Sequence, residues 1–218
     1  MDQILCNMLD AAARALQAPL TERGIVLFGV YCDELVFWNR KMNLVGDATQ
    51  REIVIRHFID SLTPVPFIAR PAGRLLDLGS GAGFPGIPLK IVLPSLQVSL
   101  LESSRKKASF LKHMIRRLCF TEAQVIHART EMAIRDASFC GAFDTVISRA
   151  AFKLPELLET AKHFLAPEGR LIAMKGPNFR QEADRAGSPE LVFEACHSID
   201  VPFLHKHLNI LIYRADRR

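Results

Sequence analysis

The chain lacks the marks of several protein classes. No apolar run reaches the roughly 18 residues that would suggest a membrane span. Asp2 and Asp10 stand near the start with no basic lead-in, a pattern not expected of a secretory leader. The five cysteines (Cys6, Cys32, Cys119, Cys140 and Cys196) are scattered, odd in number, and form no C-x-x-C or other metal-type spacing. That argues against a disulfide framework and against a metal centre; buried free thiols in a reducing cytoplasm are the expectation. There is no repeat, no low-complexity tract, and no G-x-S-x-G elbow to support a serine hydrolase. His57, Asp60 and Ser61 are only i+3 and i+4 neighbours, a spacing suited to local capping or to supporting a pocket.

What is present is the balance of a globular protein, with 218 residues to build one sizeable core or a core plus a helical appendage. The net charge of +5 favours polyanionic partners such as nucleic acid. The cations are spread over Arg40, Lys41, Arg56, Arg105, Lys106, Lys107, Lys112, Arg116, Arg117, Lys175, Arg180, Arg214, Arg217 and Arg218. Those within 103–118 can equally form the solvated face of a helix.

Residues 1–70 read as helical. Ile4, Leu5, Met8, Leu9, Ala12 and Leu16 recur at helical spacing, as do Ile25, Phe28, Cys32, Leu35 and Val36. Thr49 followed by Glu52 predicts a capping box for a third helix running toward Phe58, and Pro64 and Pro66 close the region. From residue 74 the pattern changes. Strand-like runs at 74–79, 97–102, 123–128, 143–148 and 169–174 alternate with helical material, notably 103–118 and 155–165, which argues for a mainly parallel α/β sheet. Segments 191–199 and 206–213 are joined too closely to be parallel, so an antiparallel pair is expected there. The organisation read is an N-terminal helical subdomain, 1–70, packed on an α/β domain, 71–218.

The richest stretch is Leu75-Leu76-Asp77-Leu78-Gly79-Ser80-Gly81-Ala82-Gly83-Phe84-Pro85-Gly86-Ile87-Pro88. It reads as a buried strand, a glycine loop whose bare backbone lets a ligand approach, and a helix start. The loop amides and helix N-terminus would face a nucleoside-bearing ligand. Glu102 follows about 20 residues later, the spacing at which a carboxylate accepts from ribose hydroxyls; a solvated charge before a helix capped by Ser103 or Ser104 is the alternative. Gly81-Ala82-Gly83-Phe84-Pro85-Gly86 also satisfies the dinucleotide pattern G-x-G-x-x-G, which leaves a nucleotide-dependent oxidoreductase open. Asp77, ahead of the glycines, could orient the loop or a ligand ammonium.

The Asp77-x-Gly79-x-Gly81-x-Gly83 run with Glu102 resembles the S-adenosylmethionine site of class I methyltransferases. A fuller match is to the GidB family of small-subunit ribosomal RNA guanine-N7 methyltransferases. It is carried by Trp38 to Leu44, Arg56 to Ser61, Asp77 to Leu89, Ser104 to Leu111, Ile147-Ser148-Arg149-Ala150 and Lys175-Gly176, in family order over about residues 35–215. Thr130, Val45 and Lys206 depart from the commoner alanine, threonine and arginine. The resemblance implies a Rossmann-like seven-stranded, mainly parallel sheet with one antiparallel strand. It also implies S-adenosylmethionine as methyl donor and 16S ribosomal RNA, free or in the 30S particle, as substrate. Carried over, cofactor contacts fall on Asp77, Gly79, Ser80, Gly81, Gly83, Phe84, Glu102, Ser103, Arg129, Thr130, Glu131 and Arg149. Arg149, Asp60 and Lys175 are the candidates for the reacting centre, Arg149 by donating to guanine O6 or a phosphate, with a structural salt bridge to Asp144 as the alternative. No metal, no membrane partner, a monomer and a cytoplasmic location complete the expectation. A class I methyltransferase acting on protein or a small molecule, and a non-catalytic RNA-binding protein, are the competing functions.

Overall fold

In the computed structural model, which describes residues 1–46, 49–183, 187–204 and 206–216, the chain opens with capped helices. Asp2 accepts from Leu5 N (2.8 Å) to start α1 (Gln3–Ala15), and Thr21 accepts from Gly24 N (3.0 Å) to start α2 (Glu22–Met42). Each side-chain oxygen satisfies an amide that the helix itself leaves unpaired. Asn43 ends α2 at φ +50°, a left-handed turn that asparagine tolerates. Phe28, Tyr31, Cys32 and Leu35 lie on one stripe of α2 and are buried.

Thr49 starts the next helix as its sequence suggests: its Oγ accepts from Glu52 N (3.2 Å) and donates to the Glu52 carboxylate (2.9 Å). The helix does not run on toward Phe58 in α form. α3 (Gln50–Ile53) gives way to a π-helical turn over Val54–Ile59, and α4 (Asp60–Leu62) resumes. No glycine or proline lies in this stretch to announce the change. A π turn adds a residue per loop and re-aims side chains, and such turns are frequent at functional sites.

The alternating part forms β1 (Arg74–Leu78), α5 (Gly86–Val92), β2 (Gln97–Glu102), α6 (Arg105–Arg117), β3 (Ala123–His127), α7 (Thr130–Ala133), β4 (Phe143–Arg149), α8 (Leu154–Ala161), β5 (Leu165–Lys175), α9 (Arg180–Ala183), β6 (Leu191–Val201) and β7 (Lys206–Ala215). The helix expected over 155–165 starts at Leu154 and ends at Ala161, and Leu165 already belongs to β5. The seven strands make one sheet in the order β3-β2-β1-β4-β5-β7-β6. Neighbours from β3 to β5 pair parallel, and β7 lies antiparallel to both β5 and β6. The α/β class and the single reversed strand are as expected.

Strand residues alternate between two apolar layers. Leu75, Leu100, Ile147 and Ile172 join a core shared with Leu9, Phe28, Phe58 and Phe110. Leu76, Leu101, Val146 and Leu171 join a second core with Leu157, Leu158 and Phe164. The N-terminal helices therefore share apolar contacts with one face of the sheet; burying a side chain such as Phe28 or Phe58 contributes about 1.5–3 kcal/mol each. Strand order reverses between β1 and β4, the point where open α/β sheets bind ligands at strand carboxyl ends.

All five cysteines are free, but Cys119, Cys140 and Cys196 are exposed and only Cys32 is buried, which corrects the expectation of buried thiols. Among the described residues no helix is long and apolar enough to cross a membrane, and no group of histidine, cysteine or carboxylate side chains could hold a metal ion. Arg217 and Arg218 lie outside the described residues.

Candidate active site

The end of β1 turns into the glycine loop. Gly79, Gly81 and Gly83 have φ of +73°, +58° and +106°, and any side chain there is strained. A Cβ on Gly79 would lie 2.6 Å from the Ala151 Cβ, and one on Gly83 would lie 2.5 Å from Ile87 Cδ1 and 2.8 Å from Tyr31 Oη. Tyr31, fully buried on α2, donates its hydroxyl to Ala82 O (2.6 Å) and so ties the loop to the N-terminal helices. Ser80 is buried and donates to Asp77 O (2.9 Å). Asp77 is wholly buried: its Oδ2 accepts from Gly86 N (2.9 Å), and its Oδ1 has no hydrogen-bond partner among the described residues. It orients the loop from beneath.

Glu102 ends β2 beside this loop. One carboxylate oxygen accepts from Gly81 N (2.9 Å) and the other from Ser104 N (2.7 Å). Ser104 occupies the N-cap of α6, but its side chain makes no capping hydrogen bond; the Glu102 carboxylate serves the helix start instead.

Above the loop opens a cleft of about 650 Å³. Of the sequence candidates, Gly79, Gly81, Glu102, Ser103, Arg129, Thr130, Glu131 and Arg149 line it. Asp77, Ser80, Gly83 and Phe84 do not; all four are buried, and Gly83 N donates to Ser80 O (2.7 Å). Lys107 and the turn Ala150–Phe152 also line the cleft and were not among the candidates. Lys107 and Ala150 did fall inside segments that carry the family resemblance, Ser104 to Leu111 and Ile147 to Ala150, whereas Ala151 and Phe152 had only their adjacency to Arg149.

Arg149 ends β4 at the cleft wall, and three groups from the π turn and α4 grip it. Its Nη1 donates to Asp60 Oδ2 (2.7 Å) and to Arg56 O (3.2 Å), and its Nη2 meets His57 Nδ1 (3.1 Å). Its guanidinium also sits over the Phe84 ring, 5.0 Å from the centroid, and the His57 ring stacks on Phe84 with centroids 4.8 Å apart. The alternative partner Asp144 is instead engaged by Arg70 and by Arg74 N (2.9 Å). The reason is geometric: Asp144 and Arg149 are five residues apart on one strand, about 16 Å at strand rise.

Lys175 does not open into the cleft. It is buried at the end of β5, and its Nζ donates to Phe152 O (2.7 Å) and Glu182 (2.8 Å), while Glu182 also accepts from Leu154 N (2.8 Å). It thereby fastens the Ala150–Phe152 turn from behind.

Two buried titrating groups pull stability in opposite directions. Burial pushes the Asp77 carboxyl up to about 7. Burial, then the charge of Arg149 and of Arg56, brings the His57 imidazole down to about 4. Between pH 4 and 7 the folded state therefore holds a proton on Asp77 that the unfolded chain has lost, so Asp77 makes stability fall as pH rises. Between about pH 4 and 6.5 the unfolded chain holds a proton on His57 that the folded state has lost, so His57 makes stability rise. Relative to wild type, Asp77→Asn should gain stability with rising pH over this range and His57→Phe should lose it. Urea unfolding at pH 4.5, 5.5, 6.5 and 7.5 reads both slopes; parallel profiles for all three proteins would refute the assignment.

The GidB family model, described as rRNA small subunit methyltransferase G, matches residues 25–211 of this chain. Ribosomal RNA small subunit methyltransferase G of Syntrophus aciditrophicus (strain SB) is 46% identical over 180 residues, spanning 82% of this chain and 75% of that protein. The protein of the same name from Acetivibrio thermocellus is 35% identical over 217 residues, spanning 98% and 90%. Among solved structures, a predicted O-methyltransferase from Agrobacterium tumefaciens superposes with a TM-score of 0.59 at 21% identity, over 74% of this chain and 80% of that one. TYW2 from P. horikoshii, solved in complex with MeSAdo, superposes with a TM-score of 0.55 at 13% identity, over 75% and 62%. At such identities these structures speak for the fold.

Proposed function

Because this chain belongs to the GidB family, rRNA small subunit methyltransferase G, we propose that it transfers the methyl group of S-adenosylmethionine to N7 of a guanosine in 16S ribosomal RNA. The observation that carries the reading is the cleft itself: a floor of glycine backbone that a Cβ would fill, a carboxylate on one wall, and a braced arginine on the other. These residues fit the cofactor. Gly79 and Gly81 leave room for its methionine portion, Glu102 keeps acceptor capacity for ribose hydroxyls, and Ser103, Arg129, Thr130 and Glu131 border the space for its base.

When bound, S-adenosylmethionine supplies an electrophilic methyl group on a sulfonium. Guanine N7 carries an exposed lone pair, so the chain needs no strong base and works by positioning and electrostatics. Arg149 has N–H groups left after Asp60, Arg56 and His57 are satisfied, and these face substrate O6 or a phosphate. Asp60 and His57 fix the direction of that donation, and Lys175 positions the turn beyond it. Loop and helix ends thus converge on a base that has left its stack, since a paired guanine in A-form RNA is out of reach. A cytoplasmic monomer acting on the RNA or on the 30S particle is the form this reading takes.

The test is methylation with labelled donor, offering 30S particles and deproteinised 16S RNA in parallel, followed by nucleoside analysis. Label in 7-methylguanosine is expected from at least one substrate. Label in another nucleoside would refute the N7 assignment, and tight binding of NAD in place of S-adenosylmethionine would refute the reading altogether.

A further inference from the structure

We propose that the outward face of α6 is a docking rail for the phosphate backbone of the RNA that feeds the cleft; this rests on the ribosomal RNA reading above. α6 carries Arg105, Lys106, Lys107, Lys112, Arg116 and Arg117 and no acid. That is six cations against a net charge of +5 for the whole chain, so the remainder is formally negative. This helix alone therefore carries a formal charge of +6 while the rest of the chain, with cations and acids in balance, is near neutral.

The placement is one-sided. Ala108, Phe110, Leu111 and Met114 face the core, and every exposed position of α6 except Ser109 is lysine or arginine. Glu34 on α2 takes up the far end, meeting Arg117 (3.1 Å) and His113 (2.8 Å). Arg105, Lys106, Lys112 and Arg116 form no ion pair among the described residues. Nor does folding benefit: three cations crowd the first turn against the positive end of the helix dipole, and Lys112 and Arg116 repel each other across one turn.

The rail leads to the site. Lys107 and Ser103, at its start, line the cleft. Thirteen residues of helix rise about 20 Å, enough to run beside several successive phosphates. The exposed face offers no aromatic ring to stack a base and no apolar residue to enter a bilayer. It fits a polyanion held by charge, which positions the RNA without reading its sequence.

The test compares the full-length protein with two neutralised quartets. One is Arg105→Gln, Lys106→Gln, Lys112→Gln and Arg116→Gln, none of which lines the cleft. The control quartet is Arg14→Gln, Arg23→Gln, Arg51→Gln and Arg135→Gln, exposed cations away from α6 with the same total charge change. Binding to deproteinised 16S RNA and to 30S particles is measured from 50 to 300 mM salt, with S-adenosylmethionine affinity and melting temperature alongside. The α6 quartet is expected to weaken RNA binding at least tenfold at the lowest salt and to flatten log K against log salt by about 0.7–0.9 per lost contact. Its cofactor affinity and its rate at saturating RNA should stay at the wild-type level. Equal slopes for wild type and the α6 quartet overturn the proposal while leaving the methyltransferase reading intact, as does an equal loss from both quartets. An effect confined to 30S particles overturns it in favour of a protein contact. Failure of the wild type to bind or methylate either substrate overturns both.

Discussion

Arg149→Ala should lower kcat/KM for RNA methylation by about 10²–10³, the usual loss when a preorganised donor at a reacting centre is removed. The same change should also destabilise the fold, because it strands Asp60. The two side chains of this pair are only 16% and 12% exposed. Leaving one partner of such a pair uncompensated costs about 3–5 kcal/mol, whereas replacing both by apolar groups of similar volume is often neutral. Stability and activity can therefore be separated. Arg149→Met combined with Asp60→Leu should recover most of the melting temperature lost in Arg149→Ala and none of the activity. Initial methylation rates and urea unfolding on the wild type, the single variant and the double variant decide it. A single variant that methylates at near the wild-type rate, or a double variant that regains rate along with stability, would remove Arg149 from the reacting centre.

That network shows where a sequence stops being readable. The glycine loop was legible because strand, glycines and helix start are local: β1, Gly79 to Gly83 and α5 follow one another within twenty residues. Glu102 was legible for a related reason, since β1 and β2 are adjacent parallel strands and place Leu101 beside Leu78. The grip on Arg149 was only partly legible: Asp60 stood with it among the candidates and His57 and Asp60 had a spacing suited to supporting a pocket, but their pairing with Arg149 was not foreseen. Asp60 and His57 lie 89 and 92 residues away in sequence, and they reach it through a π turn that no glycine or proline foretells. The nearest carboxylate in sequence, Asp144, sits at the wrong end of its own strand. Lys175 was placed at the right end of the sheet by the βα logic, but only the fold shows its Nζ turned to Phe152 O and Glu182. Tyr31 had no sequence signal beyond its place on a buried helical stripe, although its hydroxyl holds the loop.

The α6 face was an intermediate case. Its cations were visible in the sequence, and so was the alternative of a merely solvated helix. What the fold adds is that α6 starts at the cleft, and that only its far end is neutralised, by Glu34 from another helix.

Glu102 yields the second large effect, and an uncommon one, because its isosteric replacement should fare about as badly as its deletion. In this fold both carboxylate oxygens already accept from backbone amides, Gly81 N on one side and Ser104 N on the other. An ionised carboxylate has about four acceptor positions, so two remain for ribose hydroxyls. Glutamine keeps the shape and changes one oxygen to an NH2 group. Whichever way the amide is turned, that group faces an N–H, of Gly81 or of Ser104, so either the loop or the start of α6 loses its partner and meets a donor instead. Hydrogen bonds to a charged group contribute about 1.5–3 kcal/mol each, so losing the ribose pair with the charge corresponds to about a hundredfold or more in affinity. Calorimetry should therefore show S-adenosylmethionine binding weakened by about 10² in both Glu102→Ala and Glu102→Gln. Glu102→Asp keeps the charge on a shorter stem and should fall between them and wild type. The chain should still fold, because Gly79 N and Ser80 N hold the loop to Leu101 O independently of the carboxylate. If Glu102→Gln binds within a factor of three of wild type, the carboxylate is a helix-start ligand alone and the ribose must be held elsewhere in the cleft.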